Sequence, residues 1–395
     1  KESTMKSRMN RLKGAGILMA AVVAAGSLQI PAMAQVEAAE NNPVVEITIT
    51  EADSFGASSS QGAQLNFSNI GATYNVKDYG ASTSLDDNYP AFQAALDAAN
   101  KYQKKHPGSQ CKVVIPKGTY RIKGESGHGL IVYSNTWIYA EGATIKRRSD
   151  YNWHLMQTDM KGKGYNVTRN VKIEGGTWDG QGKETKNTNS VFRFAHASNM
   201  AFINCTVQNS FNAHIIELGG VKSSPAENKG QIYVGKPSAS DGAFTIGVLV
   251  KDHEEGKFTN SGLIDAKEAT AAISVEKGSS TDKNTVLLTS GSQTLGNILI
   301  DAPNTTLNRE DGAVFDGRLV VSKNASKTAI SGTQKAEGLT ASNGAALFLA
   351  PADSSASIKN ALYSRNKASG TTIAMGGAVY SNGSPIYFEN TVFDG

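Results

Sequence analysis

Asn170-Val171-Lys172-Ile173-Glu174-Gly175-Gly176-Thr177-Trp178 returns 29 residues later as Asn199-Met200-Ala201-Phe202-Ile203-Asn204-Cys205-Thr206-Val207. The second, fourth and ninth positions are apolar in both copies. A looser copy starts at Asn135, with Ile138 and Ile145. One such segment has a single apolar face and cannot bury it alone; copies stacked at a fixed period can. The pattern therefore predicts an all-β solenoid, a right-handed parallel β-helix. The repeated Asn fits a turn of left-handed backbone in which side-chain amides stack from coil to coil.

Downstream the repeat changes style. Asn228-x-Gly230-x-Ile232 is echoed by Asn260-x-Gly262-x-Ile264, and Ile246-x-Val248 by Ile273-x-Val275. Tyr363-x-x-Asn366, Gly376-Gly377-Ala378-Val379-Tyr380 and the run 386–393 read as further short strands between turns. The pattern breaks off in mid-repeat at Gly395, as a truncated chain would, and the change of style near 222–230 leaves open a chimeric join. Upstream there is one helix. Phe92, Ala95, Leu96, Ala99 and Tyr102 share a face, Pro90 suits the first turn, Asp86 and Asp87 offer caps, and Pro107-Gly108 ends it. A lone amphipathic helix over about 88–105 is expected to cover the open end of the stack.

Composition agrees with this architecture. Glycine is abundant (40 residues), proline sparse (10) and aromatics few (7%), which favours tight turns between short strands. The two cysteines, Cys111 and Cys205, lie in apolar runs and read as buried thiols rather than a disulfide framework or metal ligands. Residues 1–34 have the form of a signal peptide: basic Lys6, Arg8, Arg11 and Lys13, an apolar run 14–30, and Ala32-Met33-Ala34 before Gln35. This predicts a secreted or surface location in a bacterial cell. Removing that leader takes five of the 39 basic residues and one of the 35 acidic ones, leaving 34 of each. A neutral mature chain offers no electrostatic basis for binding nucleic acid or anionic membrane. Residues 35–72 read as a weakly ordered lead-in, apart from the alternating stretch 44–50.

Residues 74–222 resemble the pectin-lyase-like β-helix superfamily of polygalacturonase and pectate-lyase type. The resemblance rests on Tyr74-Asn75-Val76-Lys77-Asp78-Tyr79-Gly80-Ala81, Val113-Val114-Ile115-Pro116-Lys117-Gly118-Thr119-Tyr120 and Gly175-Gly176-Thr177-Trp178-Asp179-Gly180-Gln181-Gly182. It implies a cap module over the start of a domain spanning 73–222. It also implies activity on pectin-like polymers, but the catalytic signature departs from the family. Asn187-Thr188 is followed by Asn189 where the family has Asp, and no Asp-Asp pair follows position 87. Gly127-His128-Gly129 and Arg121-Ile122-Lys123 occur in reversed order ahead of the defining coil. Residues 223–395 resemble the β-helix repeats of autotransporter passengers, many of which are adhesins. A membrane anchor would lie in a C-terminal part that this sequence does not contain.

Glycoside hydrolysis needs two carboxyl groups about 5–5.5 Å or 6.5–9.5 Å apart. The column through Asp179 supplies one, because its counterpart after Asn199 is Gln208. The richest cluster is Arg193, His196, Asn212, His214 and Glu217. Alternation sets Arg193 opposite Phe192 and Phe194, and Ile215 and Glu217 opposite His214, Ile216 and Leu218. Arg193, His196, Asn212 and Glu217 are the expected substrate-binding residues, with Trp178 as a stacking platform. Asp179, His214 and Glu217 are the candidates for any catalysis. The loop 149–169, with Asp150, Trp153, His154 and Asp159, could line the groove. Neither its scattered carboxylates nor Asp252-His253-Glu254-Glu255 makes a metal set, so a Ca²⁺ site has no clear support and no cofactor is expected. The sequence predicts a β-helix that binds extracellular polysaccharide or a host glycan. A polysaccharide-degrading hydrolase or lyase is the alternative, and a structural spacer the third. It does not specify an oligomeric state.

Overall fold

The computed structural model describes residues 65–125, 127–159, 167–219, 225–251, 255–278, 282–369 and 374–394, with the backbone of one further strand, Val44–Ile47. The expected signal peptide, most of the lead-in and Asp252 to Glu254 lie outside the described residues. Val44–Ile47 runs antiparallel to the last strand, Thr391–Asp394.

The chain winds as a parallel β-helix with three strand ladders. One coil comprises Thr168–Glu174, Thr177–Asp179 and Phe192–Ala195. The next comprises Ala197–Gln208, which turns a corner in one continuous strand, then His214–Gly219. Because that long strand bridges two ladders, they merge into one 22-stranded sheet, while the third ladder forms a separate ten-stranded sheet. The repeat read from the sequence is the coil itself: Val171 pairs with Met200 and Ile173 with Phe202. In the other ladder Trp178 pairs with Val207. Coils on the two sides of residues 220–224 pair with each other, Met200 with Ala226 and Ile216 with Val248.

The second-half repeat holds at Asn228 with Asn260 and at Ile232 with Ile264. It differs by two residues elsewhere: Val248 pairs with Ile273, and Ile246 with Ala271. A shift of two keeps every side chain on its face, so the apolar pattern alone does not distinguish the two registers.

Asn135, Asn170 and Asn199 take left-handed backbone with φ of 55°, 59° and 55°. Asn170 Nδ2 donates to Asn135 Oδ1 at 2.8 Å and Asn199 Nδ2 to Asn170 Oδ1 at 2.7 Å. Asn228 and Asn260 form a second, buried ladder at 2.8 Å. Beside it, Gly262 lies so close to the coil before it that a Cβ there would sit 2.2 Å from the Gly230 carbonyl oxygen.

Helix α1, Tyr89–Lys105, packs against Ile70–Asn75 and Gln110–Val114, and buries Phe92, Ala95, Leu96 and Ala99. Its start is stabilised differently from the expectation. Asp87 Oδ1 accepts from the Tyr89 and Lys123 amides, both at 2.9 Å, whereas the exposed Asp86 only pairs with Arg121 at 3.9 Å. A second helix, the single turn Gly182–Thr185, follows the Asp179 corner. Both cysteines are buried free thiols.

Candidate functional site

The ten-stranded sheet turns one row of side chains inward and one outward, as a period of two requires. In strand Phe192–Ala195 the inward residues Phe192 and Phe194 join Phe202 in stacked contact, at 6.0 and 5.7 Å between ring centroids. Arg193 therefore faces out. It pairs in register with Glu217 on the next coil and with Gln157 on the coil before. Arg193 Nε donates to Glu217 Oε1 at 3.1 Å, and Ser190 Oγ donates to Glu217 Oε2 at 3.0 Å. His214 Nδ1 lies 4.0 Å from Glu217 Oε2, with its ring beside Phe244.

Loop residues seat themselves over this row. The half-buried Trp153 donates its indole N–H to Gln157 Oε1 at 2.8 Å, and His154 beneath it contacts the Ser190 carbonyl through Nδ1 at 3.2 Å. Burial pushes the His154 imidazole down to about 4, against the opposing pull of Glu217. Burial also lowers His214.

The other expected residues are employed elsewhere. Trp178 is fully buried, lies edge-on to Phe192 at 5.4 Å and donates to the Gly175 carbonyl, so it belongs to the core and cannot be a stacking platform. Asp179 is in the other sheet, where Oδ1 accepts from the Gln181 amide at 2.8 Å and from Asn209 Nδ2 at 2.9 Å. It holds a corner and does not form a pair with Glu217. Asn212 is bound in both directions to Ser238, through Nδ2 at 2.8 Å and Oδ1 at 2.9 Å. His196 occupies a corner with φ 54°, its Nδ1 buried and unpartnered. Arg193, Glu217 and His214 are thus brought together; His196, Asn212, Trp178 and Asp179 are not. Ser190 and Gln157 were missed. Gln157 becomes visible only through its pairing with Arg193, and Ser190 only through the fold of the loop.

In the loop, Asp150 is bound by Arg148 at 2.7 and 2.9 Å and by Lys123 at 3.2 Å. The Arg148 hydrogen bonds hold that carboxyl below its usual range. Among the described residues no three of His, Cys, Asp and Glu converge as a metal site would require.

The outward row continues past Glu217 through Leu249, Ser274, Leu299, Val320 and Phe348 to Tyr380. A shallow hollow of about 500 Å³ opens along it, floored by Leu299 and Val320 and flanked by Lys251, Glu276 and Asp301. Lys251 Nζ bridges to Glu276 at 3.1 Å, and Asp301 accepts from Ser322 and Asn324.

No protein-family model matches the chain. It is 27% identical over 170 residues to plasmin and fibronectin-binding protein A of Streptococcus pneumoniae (strain ATCC BAA-255 / R6). That match takes in 39% of this chain, which spans only 23% of the length of the relative. Among solved structures, ORF18 of Geobacillus virus E2 is 14% identical with a TM-score of 0.51, over 80% of this chain and 59% of that one. The A-module of the Azotobacter vinelandii mannuronan C-5 epimerase AlgE6 is 13% identical with a TM-score of 0.43, over 80% and 99%. Ladders, corners and likeness together give this chain the parallel β-helix fold.

Proposed function

We propose that this chain is a surface-displayed, adhesin-like β-helix that binds an extracellular polysaccharide or host-surface glycan across the outer side of its ten-stranded sheet. The observation that carries this reading is the Arg193–Glu217 pair, held 3.1 Å apart on adjacent coils, with the half-buried Trp153 hydrogen-bonded to Gln157, the register partner of Arg193 on the coil before. A guanidinium, a carboxylate and an aromatic face on one rigid surface match the hydroxyls and apolar faces of a sugar. The named binding activities of the pneumococcal relative support an adhesive role, and the leader-like 1–34 supports export. Binding is favoured over hydrolysis because the expected second carboxylate, Asp179, is spent on a corner of the other sheet.

The test is to pass the full chain over a panel of immobilised polysaccharides, scoring both retention and release of reducing or unsaturated ends. Retention without release, lost in Arg193→Ala, is expected. No retention on any polymer, or undiminished retention of Arg193→Ala, overturns the proposal. Release that disappears in Glu217→Gln would make the chain an enzyme.

A further inference from the structure

Far along the outward row from Glu217 stand two aromatic residues on successive coils. Phe348 pairs in register with Tyr380, and their rings lie 5.3 Å apart at an interplanar angle of 13°. Both are half-buried, in the short strands Leu347–Leu349 and Val379–Ser381, whose flanking residues Leu347, Leu349 and Val379 point into the core. Arg318 lies over Phe348, with Cζ 5.9 Å from the ring centroid. Two loop carbonyls fix its guanidinium, Gly344 O taking Nε at 3.1 Å and Asn343 O taking Nη2 at 2.7 Å. Nη1 has no partner among the described residues. Tyr380 has no second ring partner and its hydroxyl no hydrogen bond among them. Cation, ring and ring thus form an immobilised surface with a hydrogen-bond donor and a hydroxyl to spare.

Resting on the glycan-binding reading above, we propose that Arg318, Phe348 and Tyr380 form a second sugar-stacking subsite, so that the ligand is a polymer long enough to reach both ends of the row. Phe348, stacked between Arg318 and Tyr380, backs the platform; the face of Tyr380 turned away from it takes the apolar face of a pyranose, and the Tyr380 hydroxyl and Arg318 Nη1 take hydroxyls of the chain lying across them. Six register steps separate Arg193 from Phe348, and at about 4.8 Å per step the two subsites stand roughly 29 Å apart. Between them the hollow floored by Leu299 and Val320, with Lys251, Ser274 and Glu276 at its side, gives the intervening sugars a track. Two weak contacts on one rigid frame reinforce each other only when a single molecule spans them.

The experiment is to cut a polymer retained by the wild-type chain into a size ladder and titrate each fraction against wild type and the Phe348→Ala/Tyr380→Ala double variant, with thermal melts confirming that the variant folds. Expected is a rise in wild-type affinity of about 100-fold once the oligosaccharide passes the spanning length. The double variant should lose that rise while binding short oligosaccharides like wild type. Arg318→Lys, which keeps the charge but not the planar fork, should reduce the long-chain gain about tenfold. Affinity independent of length, or a double variant that keeps the gain, overturns the second subsite and leaves the Arg193–Glu217 site standing. A wild-type chain that retains no polymer from which such a ladder can be cut overturns both.

Discussion

Glu217 stands one coil from Arg193 on the same outward row, and its two oxygens are divided: Oε1 accepts from Arg193 and Oε2 from Ser190. The side chains remain 22% and 32% exposed, so solvent screens the pair and its contribution to folding is small, about 0–1 kcal/mol. Glu217→Gln keeps the shape and removes the charge. Glycan retention is expected to weaken about tenfold, a loss of about 1.4 kcal/mol, with the melting temperature nearly unchanged. Titration and a thermal melt on the same sample check both halves.

The two tryptophans should separate stability from binding. Trp178→Ala opens the core against Phe192 and is expected to cost about 3–5 kcal/mol in urea unfolding. Trp153→Ala removes a half-buried ring and one hydrogen bond, costing about 1 kcal/mol, yet should abolish retention. The reverse ranking would place the ligand on the wrong side of the sheet.

Acid should destabilise the site loop through His154. Burial holds this imidazole at about 4, below its ordinary 6.5, so the folded chain binds fewer protons than the unfolded chain between those values. Stability is therefore complete above about pH 6.5 and declines as the pH falls towards 4, by on the order of 3 kcal/mol. His214, lowered in the same direction, adds to the decline. Melting temperature followed from pH 7.5 to 4 should fall more steeply in wild type than in His154→Asn; equal slopes would show that the imidazole is not buried.

Asn170 links two amides of the ladder and sits at φ 59°. Asn170→Ala loses both hydrogen bonds and strains the backbone, for about 3 kcal/mol in all. Asn170→Gly relieves the strain and should recover about 1 kcal/mol of it. Chemical unfolding of the two variants separates the amide contribution from the backbone contribution.

Much of the fold was legible because inward columns repeat: Val171, Met200 and Ala226 are apolar wherever the coil needs them. The site was less so. The burial of Trp178 was legible, because the repeat aligns it with apolar Val207, its register partner and equally buried; reading it as a platform set that column aside. Trp153 projects from a loop with no period at all. Phe348 is hidden differently, since Leu347-Phe348-Leu349 is apolar throughout and alternation has nothing to read. Arg193 and Glu217 could be found because each is a charge flanked by buried apolar residues.

The matched register between coils limits how this architecture can change in length. Turns differ widely in size, 23 residues separating Leu307 from its partner Ile330 and 35 separating Ile138 from Ile173, because extra residues collect at corners. One residue added within a strand would turn its neighbours inside out, whereas a whole additional turn adds a floor without disturbing those above and below. Such a molecule is free to grow in quanta, and with each quantum its outward row would gain a fixed increment of reach.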